Sequence, residues 1–354
     1  MSTAGGVAGS VSATPHAESV GKPPLPKRVA DFARRNEETG WHGVAWVAVI
    51  LPLAALIFAI TVLAVKAWPV VGHNGWYFLY GRTWTYGNQG YGGGPGATFG
   101  AWAIIWGTIA SSVIAIVIAL PLSVGAAFAL TERMPTWVSR PLGFTIEILA
   151  GIPSVVIGLW GILAFAPWLA RNVYPHIASV MPDVPVLRYF GKPTGSGEGL
   201  LSAGIVLALM IVPIITSTTR DLFTQVPPLP KEGASALGMT DWEVANKVTL
   251  PWVRSGIIGA TVLGLGRALG ETIAVALVGG ASLHIAPNIY QPFGTIAATI
   301  LTQLDGALTD GTGFAVETLA ELALVLAVIS VAVNLLARTI VNRTSRIVAP
   351  VGAA

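Results

Sequence analysis

Residues 231–251 read KEGASALGMTDWEVANKVTLP, a polar island in an otherwise very apolar chain. Pro230, just before it, suits a first helical turn, where a missing N–H leaves nothing unpaired. Glu232 follows near the positive end of that helix, where a negative charge is favoured. Gly238 can adopt the left-handed conformation that closes a helix. Thr240, with Glu243 three residues on, has the spacing of a capping box and predicts a restart. Pro251 has no amide hydrogen to donate and predicts the end of the second helix. The stretch therefore reads as two short helices about a hinge. It lies between two long apolar segments, so the pair needs a surface to pack against, and a partner protein is the natural candidate.

Composition sets the frame around that island. Of 354 residues, 53% are hydrophobic and 10% charged, whereas soluble domains carry about 25% charged residues. The apolar residues are grouped into runs. Six runs, 43–65, 102–130, 142–169, 200–218, 255–282 and 315–337, reach the roughly 20 residues that a membrane-crossing helix needs. The expected fold is all-α and integral to the membrane, with six transmembrane helices. Several runs exceed the length of a span, which predicts tilt or kinks. Pro121, Pro153 and Pro213 lie inside them, where neighbouring helices can satisfy the freed carbonyls. Residues 1–40 are polar and rich in Gly, Ser, Ala and Pro; they read as a disordered tail. Residues 341–354 read as a second tail.

Charge placement orients the expected bundle. Fourteen of the 20 Lys and Arg fall in the N-terminal tail, in loops 131–141 and 219–254, and in the segment after the sixth run, from residue 338 onward. Five (Lys66, Arg82, Arg171, Arg188 and Lys192) fall on the opposite side, and Arg267 falls inside a run. The positive-inside rule then places both termini, and the 231–251 pair, in the cytoplasm. On the outer side, residues 66–101 hold Trp68, Trp76, Tyr77, Tyr80, Trp84, Tyr86 and Tyr91, with a glycine-rich run from Gly90 to Gly96. These read as interfacial anchors, with ligand stacking as the other reading. Residues 284–313 are too broken by Pro and Gly to span, and read as a short helix at the surface.

Ionisable residues in apolar runs carry the functional signal, because each is unfavourable by about 2.5–3.5 kcal/mol or more at the bilayer centre. The fifth run contains GATVLGLGRALGETIAVALVGG. Arg267 and Glu271 are four apart and share a helix face. Gly266 and Gly270 bracket the arginine as a GxxxG pair, and Gly264 widens the small surface, allowing close approach of another helix. One reading is a pathway-lining helix that presents Arg267 to an anion, with Glu271 orienting it. The other is a structural ion pair. Glu147, ahead of the kink-forming stretch Ala150–Ser154, faces a pathway, pairs with a partner subunit, or snorkels to the surface. Glu317 and Glu321 read as a solvated rim. Thr216, Ser217, Thr218 and Thr219 read as local backbone hydrogen bonding or as substrate contacts.

Enzyme chemistry is not expected. With no cysteine, disulfides, thiol catalysis and cysteine metal sites are excluded. The GK pairs at 21–22 and 191–192 are each followed by Pro and lack a Gly-rich approach, so no P-loop is present. The five histidines are scattered, without an HExxH pattern.

The island's spacing resembles the EAA loop of ABC importer permeases. That pattern has Glu, then Ala two residues later, Gly six later, an aliphatic residue sixteen later, and a closing Leu-Pro. Here Glu232, Ala234, Gly238, Val248, Leu250 and Pro251 fill it; Gly233 departs where the family often has Ala. In the family this loop docks into the ATPase subunit. Four further stretches, ATFGAWAIIWGT (97–108), LPLSVGAAFALTE (120–132), RPLGFTIEILAGIPSVVIGLWG (140–161) and GLGRALGETIAV (264–275), are similar to the PstC-type phosphate permeases. The resemblance covers about residues 40–340. It implies a type I ABC importer permease fold in a bacterial inner membrane, taking up inorganic phosphate. It also implies a heterodimer with a PstA-like permease, two PstB-like ATPase subunits that hold ATP and Mg, and a PstS-like phosphate-binding protein. No cofactor is implied in this chain. Arg267, Glu271 and Glu147 are then candidates for the substrate pathway. Another oxyanion, molybdate or sulfate, is the near alternative; an ion-coupled secondary transporter using Glu147 or Glu271 is the far one.

Overall fold

A computed structural model describes residues 27–85, 97–180, 193, 195–286 and 288–345, and side chains between 44 and 342. Tyr86, Tyr91, the Gly90–Gly96 run, Arg188, Lys192 and most of both tails lie outside these residues. The chain divides into two compact units, 1–59 and 60–354. The described part of the first is helical throughout, the opening portion of α1 (Lys27–Asn74). Helix thus begins at Lys27, within the stretch read as a tail.

In the second unit, α2 (Tyr77–Tyr80) and a two-stranded antiparallel hairpin (Trp84–Thr85 with Thr98–Phe99) precede α3 (Trp102–Phe128). There follow α4 (Thr136–Ala150), α5 (Ser154–Trp160), α6 (Ala166–Asn172) and α7 (Tyr174–Val180). The long α8 (Leu200–Thr224) leads into α9 (Pro228–Ala236) and α10 (Asp241–Val244). Then come α11 (Leu250–Gly270), α12 (Ile273–Gly279), α13 (Ile296–Leu308) and α14 (Phe314–Ser345). Six helical segments are long and apolar enough to cross a membrane: Val44–Asn74, Trp102–Arg133, Ser154–Val180, Leu200–Thr224, Asp241–Gly270 and Phe314–Asn342. The short helix expected within 284–313 is α13.

Helix α8 is the axis of the bundle. Of its apolar window 67% is buried, against 22–28% for α3, α5–α7, α11 and α14. Lipid tails are as apolar as leucine, so close packing and interhelical hydrogen bonds hold such a bundle together. Helix α3 meets α8 with a stripe of small residues at every fourth position: Ser111, Ala115, Ala119 and Ser123, all at most 1% exposed. This spacing builds one smooth ridge. At its far end the Ser123 hydroxyl donates to the Val212 carbonyl at 3.2 Å. Around α8 the core gathers Tyr174, Leu207, Ile211, Ile215, Val278 and Tyr290. A smaller cluster of Phe78, Trp84, Phe99, Ile104, Ile296 and Leu322 closes the end carrying the hairpin.

Three expectations are corrected by the backbone. The third run does not cross as one helix from 142. It splits into α4 and a separate span beginning at Ser154, because Pro153 disfavours helical geometry at Ile152 and caps the next helix in an extended conformation. The fifth run is also split: α11 stops at Gly270, Glu271 is extended (φ −68°, ψ 127°), and α12 restarts at Ile273. Pro251 does not end the second short helix. A π-helical turn over Ala245–Thr249 carries the chain through, with the Leu250 N–H reaching back five residues to the Ala245 carbonyl. Such a widened turn relieves the clash that a proline ring makes with the preceding turn.

Candidate functional site

At one end of the bundle, α9 and α10 form the expected pair. Gly238 closes α9 at φ +81°, where an L side chain is strained. Thr240 restarts the helix with both limbs of the capping box: its hydroxyl accepts from the Glu243 N–H, and the Glu243 carboxylate accepts from the Thr240 N–H at 3.0 Å. Ala234 turns inward at 7% exposure, and Val244 and Ala245 are buried beside it. Val248, Leu250 and Pro251 are half-buried along the π turn and the start of α11, while Glu232 is exposed. Leu229, Leu237 and Trp242 also face outward, at 76%, 82% and 63% exposure. This is an apolar face with an acidic residue on it, and it is exposed among the described residues.

Ion pairs brace the root of the pair. Lys231 on α9 bonds to Glu132 in the π turn after α3. Arg133 meets Asp241 at 3.2 Å, and Arg220 meets Glu147 at 2.6 Å. A cavity of about 560 Å3 opens between them, lined by Glu132, Arg140, Glu147, Arg220 and Lys231 among others. Glu147 is therefore an ion-pair partner on α4, ahead of the span it was expected to enter.

The second constellation lies at the break between α11 and α12. The expected Arg267–Glu271 ion pair is not formed, because Glu271 has left the helix that would align the two. Its N–H instead bonds to the Ala268 carbonyl at 3.3 Å, and the Thr272 hydroxyl donates to the Gly270 carbonyl at 3.0 Å. Among the described residues Arg267 is exposed and makes no ion pair. The glycines divide into two roles. Gly264 is buried, and a Cβ there would come within 2.9 Å of Ile215 on α8. At Gly266 and Gly270 an added Cβ meets nothing within 4 Å, so the face carrying Arg267 is open among the described residues.

Glu321 is not part of a solvated rim. It is 6% exposed and accepts a hydrogen bond from the Asn74 side chain at 3.0 Å. Ser217 and Thr218 bond to the Ile214 carbonyl, as local hydrogen bonding predicts, whereas the buried hydroxyls of Thr216 and Thr219 have no partner among the described residues. Sequence reasoning missed the roles of Glu132, Arg220 and Asn74. Their partners are 99, 73 and 247 residues away, and no local pattern links such pairs.

The family described as "Binding-protein-dependent transport system inner membrane component" matches residues 119–346. The phosphate transport system permease protein PstC 1 of Mycobacterium tuberculosis is 50% identical over 334 residues, covering 92% of this chain and 98% of that protein. The PstC of Mesorhizobium japonicum is 39% identical over 303 residues, covering 86% and 89%. Among solved structures, the MetNI methionine ABC transporter in an inward-facing conformation aligns with a TM-score of 0.49 at 18% identity, over 69% of this chain and 94% of that one.

Proposed function

The chain belongs to the family of binding-protein-dependent transport system inner membrane components, and from that premise we propose that it is the permease subunit through which an ATP-driven importer moves inorganic phosphate. It is a multi-pass inner-membrane protein that works with an ATPase and a binding protein. The finer assignment is a heterodimer with a PstA-like permease, two PstB-like ATPases that hold ATP and Mg, and a PstS-like protein that delivers phosphate from outside. Residues 41–340 form the permease domain, and both termini are cytoplasmic.

Arg267 carries the reading of the site. An arginine on a membrane span, exposed and without an ion pair among the described residues, needs water or an anion beside it. It stands where a spanning helix is broken, and broken helices in membranes are tolerated where they are enclosed by protein or line a water-filled cavity. The guanidinium fork matches a tetrahedral oxyanion. Glu271, freed from the helix, keeps the empty path from being too positive and limits how tightly phosphate is held. Glu147 contributes through Arg220, at the cytoplasmic mouth. A secondary transporter with Glu147 as proton carrier is disfavoured by that pairing.

The α9–α10 pair is the coupling element. ATP binding draws the two ATPases together, the exposed face of Leu229, Glu232, Leu237 and Trp242 follows them, and the spans rock towards the outward-open state. Phosphate then enters from the binding protein, and hydrolysis resets the complex.

The test is phosphate uptake by the reconstituted complex with Arg267→Ala beside wild type, with ATPase activity followed in parallel. Lost uptake with binding-protein-stimulated ATPase intact is the expected outcome. Unchanged uptake would remove Arg267 from the pathway.

A further inference from the structure

A second cavity, of about 740 Å3, lies at the end of the bundle away from α9, between the last turn of α1, α2, the start of α3 and the first half of α14. Its volume is in the range of about 300–1,000 Å3 typical of ligand sites. Its walls are apolar, with Phe78, Leu324, Val325, Val328 and Ile329 among them, and Trp76 and Trp102 stand on it at 80% and 40% exposure. Tryptophan is a residue of the headgroup level, so the pair marks the depth of the opening.

One ionisable group enters this groove, Glu321. Its carboxylate is buried and receives a single hydrogen bond, from the neutral amide of Asn74; no cation pairs with it among the described residues. A carboxylate has about four acceptor sites, and in an apolar wall it calls for more donors or a positive charge. From Glu321 to Ile329 the groove follows α14 for about 12 Å at 1.5 Å per residue, close to one leaflet's half of the ~30 Å hydrocarbon core.

A polar anchor with negative charge above an apolar slot one leaflet deep has the shape of a lipid with a cationic head. We infer that the groove holds one phospholipid with a primary-amine headgroup, its ammonium against Glu321 and one acyl chain laid along Val325, Val328 and Ile329. A lysine from a partner polypeptide offers the same charge, but the leaflet-length slot and the flanking tryptophans favour the lipid. In the proposed topology the groove belongs to the outer leaflet.

The test is native mass spectrometry of the assembled complex, released from nanodiscs holding equal amounts of ethanolamine and glycerol phospholipids. The wild type is expected to retain an ethanolamine lipid on this chain in preference to a glycerol lipid. Glu321→Gln keeps the shape and can still accept from Asn74. It is expected to lower the preference about tenfold, the worth of one hydrogen bond to a charged group. Val328→Trp fills the slot and is expected to release both lipids. Equal retention of the two lipids by wild type, or a preference unmoved by Glu321→Gln, overturns the inference. So does a copurifying peptide in the lipid's place. The readout does not involve uptake, so it succeeds or fails independently of the transport assignment.

Discussion

Arg220 Nη2 stands 2.6 Å from Glu147 Oε1, tying α8 to α4. With Lys231–Glu132 and Arg133–Asp241, it forms a set of struts around the root of the α9–α10 pair. All three are partly exposed to solvent, where a pair contributes only about 0.2–1 kcal/mol. Their value in the proposed coupling role is therefore in direction: they link α9 and α10 to the turn after α3, and α8 to α4.

That role predicts a charge-swap result. Glu132→Lys places two cations together and is expected to lower the phosphate moved per ATP hydrolysed several-fold in the reconstituted complex, with assembly retained. Adding Lys231→Glu restores the attraction with reversed sign, and most of the coupling ratio should return. If both complexes assemble and the double variant remains uncoupled, the struts do not transmit the motion.

The hinge at Gly238 gives a second prediction. At φ +81° a β-branched side chain is strained by roughly 1–2 kcal/mol, so Gly238→Val should pull α9 and α10 out of register. Less ATPase should then copurify with the permease, by several-fold. Gly238→Asn should be mild, because asparagine tolerates this region. Thr240→Ala removes one limb of the capping box, worth about 0.5–2 kcal/mol. Since α10 continues through the π turn into α11, that loss should stay local. Faster amide exchange at Asp241–Glu243, with α8 unchanged, is the signature to measure.

Local chemistry explains which features were legible in the sequence. Gly238 and the Thr240–Glu243 box are set by residues within four positions of each other, and they fold as read. The six spans follow from hydropathy, which is also a local property. The breaks at Pro153 and Glu271 were less legible. Proline signalled the first as a kink, but nothing in the sequence GRALGETIAV requires a helix to stop at Gly270. The Arg267–Glu271 pair then failed because its premise, an unbroken helix, failed. Glu321 was misread because it is buried and its hydrogen-bond partner, Asn74, is 247 residues away, and the Glu147–Arg220 strut was hidden in the same way. Hydropathy also gave Pro251 no context; the π turn that admits it is a property of the backbone around it.

The glycines of α11 allow the proposed pathway face to be separated from the packing face within one helix. Gly264 lies against Ile215 of α8, with no room for a Cβ, whereas Gly266 and Gly270 flank Arg267 with open space around them. Gly264→Leu therefore overpacks the bundle, typically by about 1–3 kcal/mol, and should lower the thermal stability and yield of the complex. At Gly270 an added Cβ meets nothing within 4 Å among the described residues, so Gly270→Leu has room at its root. It should leave insertion and stability near wild type while crowding whatever occupies the Arg267 face, whether a partner helix or the passing anion. If the anion path is there, uptake falls and ATPase activity persists. If a partner helix packs there, the proposed heterodimer dissociates in size-exclusion chromatography. Normal assembly together with normal uptake in Gly270→Leu would mean that the open face borders neither, and the pathway would have to be sought on another side of α11.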